Sequence, residues 1–144
     1  MGDIHFSQGD GEITFCGAIE MAGWIELHVD VIKGGIPISG LFDLRPFRHS
    51  WLQPKLQLDA DLIERQSPLF HIPEHAPPLL VTLGGDESSE FHRQSADYVA
   101  AWRARGHRAE EFAQPGKNHL TAIGGFEQAD SALCRALMDF IAAA

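Results

Sequence analysis

Two continuous apolar runs stand out along the chain. Residues 31–42 (VIKGGIPISGLF) are rich in β-branched and apolar side chains and run into a turn at Asp43. Residues 78–83 (PLLVTL) end abruptly at Gly84-Gly85-Asp86. Short apolar runs bounded by turn residues predict buried strands. Continuous rather than alternating apolarity predicts a parallel sheet covered on both faces. Residues 108–113 (RAEEFA) form a weaker third strand candidate. Elsewhere the period changes to that of a helix. Over residues 89–105, Phe91, Ser95, Tyr98, Ala101 and Trp102 share one face, and Gly106 supplies the stop. Residues 131–143 place Leu133, Leu137, Phe140 and Ile141 together behind Ser131, a natural N-cap. The stripe Phe91, Tyr98, Trp102 therefore reads as core packing. Residues 45–77 hold most of the chain's eight prolines and read as a loop-rich excursion with one short helix over 59–65.

The first thirty residues carry a weaker pattern. Residues 2–6 suit a short strand and 13–24 a helix, although Gly17 and Gly23 oppose the helix by roughly 1 kcal/mol each relative to alanine. Strands alternating with helices across short connections predict an α/β fold: a mostly parallel sheet with flanking helices.

Composition narrows the function classes. The 144 residues suit one domain, with 44% apolar and 22% charged residues, as in ordinary globular proteins. Eleven basic against twenty acidic residues give a net charge of −9. Such a chain has no electrostatic attraction for a phosphate backbone or an anionic lipid surface, so neither nucleic acid nor membrane is expected as a partner. The apolar runs are too short to span a bilayer, and a cytoplasmic location is expected. Cys16 and Cys134 are far apart without a CxxC partner and read as small buried hydrophobes. His71 and His75 have the i, i+4 spacing of helical metal ligands, but Pro73 between them makes a loop, and no metal is expected.

In an open parallel sheet, reactive groups gather at the carboxyl ends of the strands. Three stretches fit. Gly84-Gly85-Asp86-Glu87-Ser88 follows the second strand and projects two acids. Gly116-Lys117-Asn118-His119-Leu120 follows the third and carries a histidine suited to general base work. His5-Phe6-Ser7-Gln8-Gly9 lies between the first strand and helix candidates, where a strand-to-helix turn lifts a serine as a nucleophile elbow. Each has a plainer reading: acids favoured by a helix N-terminus, a surface histidine, an ordinary serine. Asp43 more simply fixes a turn through its side chain.

The segment Lys33 to Leu44 (KGGIPISGLFDL) resembles the corresponding stretch of α/β-hydrolases of the kynurenine formamidase (arylformamidase) and related esterase/lipase group. PPLLVTLGGDESSEFHRQS, from Pro77 to Ser95, is similar to that group's acid-bearing strand, turn and helix start, and GKNHL, from Gly116, to its histidine loop. The resemblance runs from about Val31 to the C-terminus, with residues 1–30 divergent. It implies His119 as general base and Glu87 as the acid that orients it, with Asp86 as the neighbour that could substitute. It also implies Ser7 as nucleophile, at about the interval the group shows before Ser39, although the group's elbow reads Gly-His-Ser-Ala-Gly-Gly-His and this one HFSQGDG.

On the same resemblance the chain is a single, partial domain, the C-terminal half of an α/β-hydrolase fold with about four strands. The oxyanion loop would lie in the other half, leaving the Gln8 N–H as donor. The expected activity is a Ser-Glu/Asp-His hydrolase of small esters or aryl formamides, weak in this form and needing no cofactor. The alternatives are an inactive fragment, or a subunit that completes its sheet against another chain, as in a homodimer through the exposed edge.

Overall fold

The computed structural model describes the backbone of residues 4–8 and 11–15 and all of residues 32–143. The second apolar run forms β3 (Leu79–Gly84), buried at every position, as a strand covered on both faces must be. β4 (Ala109–Gln114) runs parallel to it in the register Leu79↔Ala109 to Gly84↔Gln114. Glu110 and Glu111 are exposed on β4, the charged pattern of an edge strand.

The first apolar run lies on the other side of β3 but does not form the continuous strand its composition predicts. Among the described residues it makes two isolated parallel bridges to β3, Gly35↔Leu79 and Ile38↔Thr82. Gly35 N–H donates to Pro78 O (2.9 Å), Leu80 N–H to Gly35 O (2.9 Å), Thr82 N–H to Pro37 O (2.9 Å) and Ser39 N–H to Thr82 O (2.8 Å). Pro37, having no N–H, cannot donate the rung between them, which interrupts the ladder.

Two longer helices pack against the sheet, and two shorter ones lie in the loop-rich stretch. The loop-rich stretch contributes α1 (Gln53–Leu56) and α2 (Ala60–Gln66), the latter capped by Asp59, which accepts from Leu62 N–H at 2.7 Å. α3 (Ser89–Ala104) packs Tyr98, Val99 and Trp102 against Leu79, Val81, Ala109 and Phe42. Its buried Gln94 accepts from the N–H groups of Phe42 and Asp43 (2.8 and 2.9 Å), tying the helix to the chain leaving the sheet. α4 (Ala132–Ala142) buries Leu133, Leu137 and Phe140 behind the Ser131 cap, which accepts from Cys134 N–H at 3.0 Å. Cys134 is half-buried and Cys16 lies outside the described residues.

At the N-terminus, β1 (Ile4–Gln8) pairs antiparallel with β2 (Gly11–Phe15), with Ile4 opposite Phe15 and Ser7 opposite Glu12. This corrects two expectations. Residues 13–15 are strand rather than the start of a helix, and β1 is hydrogen-bonded to β2 rather than to the parallel sheet. The rest of the expected helix lies outside the described residues. Among the described residues, no helix is long and apolar enough to cross a membrane.

Candidate active site

β3 and β4 are parallel neighbours, so the loops that follow them leave the same end of the sheet. Backbone hydrogen bonds join the two loops. Gly85 N–H donates to Gln114 O (2.7 Å), and Asp86 N–H to Lys117 O (2.9 Å). The approach is close enough to require glycine at position 84, where an added Cβ would lie 2.4 Å from Lys117 O. Gly116, with φ +69°, turns the chain out of β4 in the left-handed region that glycine adopts freely. The Asn118 side chain then accepts from the N–H groups of Leu120 (3.0 Å) and Thr121 (3.1 Å), an Asx-type turn that fixes His119 between them.

The structure brings Glu87 and His119 together: Nδ1 of the imidazole lies 3.0 Å from Glu87 Oε2. The Glu87 side chain is fully buried, whereas that of His119 is 54% exposed. A buried carboxylate needs partners on its oxygens, and Glu87 has them. Oε1 accepts from Gly84 N–H (2.8 Å) and from the Ser39 hydroxyl (2.5 Å). Because an ionised carboxylate only accepts, the imidazole proton belongs on Nδ1, which leaves Nε2 with a free lone pair. Phe91 lies against the imidazole, ring centroids 4.7 Å apart. Asp86 is exposed and contributes its backbone N–H to the joint between the loops, while Glu87 makes the contact to histidine.

Ser7 is placed differently from the expected elbow. It lies within β1, opposite Glu12 in an antiparallel hairpin, and Gln8 ends the same strand opposite Gly11, so neither sits in a strand-to-helix turn. A hairpin pairs its two strands directly and has no helix to follow the serine.

Two neighbours of the site escape the sequence reading. Phe91 has the helical spacing of a core stripe, yet only Tyr98 and Trp102 enter the core, and Phe91, at the first turn of α3, faces His119 instead. Ser39 sits in an apolar run and gives no chemical signal until the fold sets it beside Glu87. Asp43 does fix a turn. Its carboxylate accepts from Arg45 N–H at 3.0 Å and pairs with the Arg45 and Arg93 guanidinium groups. The Arg45 hydrogen bond, aided by Arg93, holds its pKa down to about 2. His71 Nε2 lies 2.7 Å from Glu64 O, and among the described residues no cluster of three metal-ligating side chains occurs.

The model of the Acetamidase/Formamidase family matches residues 1–109, a stretch that includes Ser7, Ser39 and Glu87 and stops short of His119. An acetamidase of Mycolicibacterium smegmatis is 70% identical over 40 residues, 28% of this chain and 10% of its own length. The motifs around Ser39 and Glu87 resemble a different group, and similarity to it is lower but longer. A kynurenine formamidase of Salmo salar is 29% identical over 75 residues, 49% of this chain and 26% of its own length. Among solved structures, a candidate thioesterase of Silicibacter sp. TM1040 superposes with a TM-score of 0.70 at 27% identity, covering 83% of this chain and 46% of that one. The acylaminoacyl peptidase of Pyrococcus horikoshii gives a TM-score of 0.63 at 20% identity, covering 81% of this chain and 21% of that one. These neighbours are α/β-hydrolases, and the parallel sheet with flanking helices is that fold. The chain spans about a tenth to a quarter of the length of these two curated relatives.

Proposed function

The chain belongs to the acetamidase/formamidase family, and from that premise we propose that it hydrolyses small amides, formamides or esters, with His119 as general base and Glu87 as its orienting acid. The observation that carries this reading is the Glu87–His119 hydrogen bond between two strand-end loops. The names of the similar proteins — acetamidase, formamidase, thioesterase, peptidase — share one chemistry, acyl transfer to water.

In the proposed cycle the Ser7 hydroxyl oxygen attacks the substrate carbonyl and its proton passes to His119 Nε2. Glu87 stabilises the imidazolium through Nδ1–H. His119 then gives the proton to the departing nitrogen or oxygen, the bond to the leaving group breaks, and an acyl-serine remains. Water then gives a proton to His119 Nε2 as its oxygen bonds to the acyl carbon, the bond to Ser7 Oγ breaks, and the proton returns to Oγ as the acid departs. No cofactor enters. Ser7 is supported by the chain order serine, acid, histidine, the order of α/β-hydrolases, and its place in a hairpin strand requires the hairpin to bring it to Nε2. The Gln8 N–H, next to Ser7 in the chain, is proposed as a donor to the oxyanion, a contact whose loss typically costs on the order of 100- to 1000-fold.

A fluorophosphonate serine probe tests this directly. Labelling mapped to Ser7 and abolished in His119→Ala is expected. Labelling at another serine would replace Ser7 and keep the pair. Hydrolysis of an aryl formamide or short-chain ester undiminished in His119→Ala would remove the pair from the mechanism.

A second reading has its own observation. Leu120 and Ile123, in the segment that follows β4, are 85% and 63% exposed. Exposed apolar side chains beside a strand with a charged outer edge suit a subunit that associates with a second copy. A mass that rises with concentration in sedimentation would support it, and a monomer at all concentrations would reject it.

A further inference from the structure

We propose that Ser39 is a positioning residue of the Glu87–His119 pair, its hydroxyl locking the carboxylate plane so that Oε2 meets His119 Nδ1–H. The inference rests on the reading of that pair as the acid–base machinery. Three observations converge on it. The Ser39 hydroxyl lies 2.5 Å from Glu87 Oε1, within the short range of a hydroxyl donating to an ionised carboxylate. The residue has φ +50°, a left-handed conformation that serine seldom adopts. Its N–H donates to Thr82 O at 2.8 Å, which anchors the backbone at the end of the sheet. The anchor sets the height of Ser39 beside β3, and the left-handed turn is the conformation in which its hydroxyl meets Glu87.

The need for such a device follows from the carboxylate itself. The terminal torsion of glutamate is broad, so one hydrogen bond to Oε1 leaves the group able to swing. Gly84 N–H alone would be a hinge. Gly84 N–H and the Ser39 hydroxyl together fix Oε1 from two directions and thereby fix where Oε2 points. His119 is more than half exposed and its other ring nitrogen has no partner among the described residues, so its orientation depends on that one oxygen and on the Phe91 ring. Backbone strain of this kind gathers where a site has to be held in one geometry. The charge-assisted bond to Glu87 offsets it.

The test is proton NMR of the full chain, following the Nδ1-bound proton of His119, assigned by its loss in His119→Ala. Ser39→Gly removes the hydroxyl while keeping a residue at ease with φ +50°, and Ser39→Ala removes it with the backbone strain retained. Both variants should lose the resonance to solvent exchange while the amide signals of Leu79 to Val81 stay in place. Glu87→Gln should lose it as well. Retention of the resonance, unshifted, in both Ser39 variants alongside loss in Glu87→Gln overturns the role of Ser39 and leaves the pair intact. Retention in Glu87→Gln, or no such resonance in the unmodified chain, overturns the pair and this proposal with it.

Discussion

Replacing Gly84 by alanine would probe the joint on which the candidate site depends. The new Cβ would stand 2.4 Å from Lys117 O, 2.8 Å from Lys117 C and 3.0 Å from Asn118 C. All three atoms are backbone, so no side chain can swing aside. Ordinary contact begins at 3.4 Å, so one of the two segments has to move by 3.4 − 2.4 = 1.0 Å. β3 is buried throughout and held on both sides, which leaves the histidine loop to give way. A displacement of that size stretches the 2.9 Å bond from Asp86 N–H to Lys117 O beyond hydrogen-bonding range. Overpacking at about 1–3 kcal/mol and a lost hydrogen bond at about 0.5–1.5 kcal/mol together give a destabilisation of roughly 1.5–4.5 kcal/mol. Urea unfolding measures it, and the His119 Nδ1 proton should be lost in the same variant as the loop retreats from Glu87. Gly106→Ala is the control. Nothing lies within 4 Å of its Cβ, and φ is +84°, so only backbone strain of about 1–2 kcal/mol is expected there, with the histidine signal unchanged. A Gly84→Ala chain within about 0.5 kcal/mol of the original, with that signal intact, would show that the two loops do not meet as described.

Two further substitutions test the core and its charges. The Tyr98 hydroxyl is buried without a partner among the described residues, and its ring stacks on Phe42 at 4.1 Å, so burial pushes the phenol pKa up. Tyr98→Phe should leave stability unchanged or raise it by about 1 kcal/mol, and a clear loss in urea unfolding would show that the hydroxyl has a partner. Asp43 has its pKa lowered from 3.8 to about 2, chiefly by the Arg45 hydrogen bond. Its stabilising contribution is therefore complete above the unfolded value and is lost as pH falls from about 4 towards 2. Asp43→Asn should flatten that part of the acid limb in a series of unfolding midpoints, and an unaltered slope would place the acid sensitivity elsewhere.

The strands and helices around β3 are legible in the sequence because their signals are local. A run such as Leu79 to Leu83 ended by two glycines has few alternatives to a buried strand, and the Ser131 cap announces its helix by side-chain chemistry. The strand-end rule brought Glu87 and His119 forward as candidates for the same reason, since each follows its strand by a short, glycine-marked turn. The alternation in IHFSQ and GEITF around Gly9-Asp10 is also a local signal, that of a hairpin. Reading Ser7 as an elbow set it aside, and the register of β1 and β2 restores it.

What only the tertiary structure decided concerns relations between segments that are distant in the chain. Pro37 breaks the ladder beside β3 only because β3 lies there to receive the missing rung. Phe91 shares its helical face with Tyr98 and Trp102, but the histidine loop, arriving from beyond β4, determines that it meets an imidazole rather than the core. Glu87 rather than Asp86 faces His119 because the Asp86 backbone is tied to Lys117, which leaves the next side chain to turn inward. Ser39 becomes part of the site through a left-handed turn and a carboxylate 48 residues away. Hydrophobic period and turn chemistry act over a few residues, and they determined the elements. The meeting of side chains at one end of a sheet depends on which strands are neighbours, and pairing of distant segments decided that.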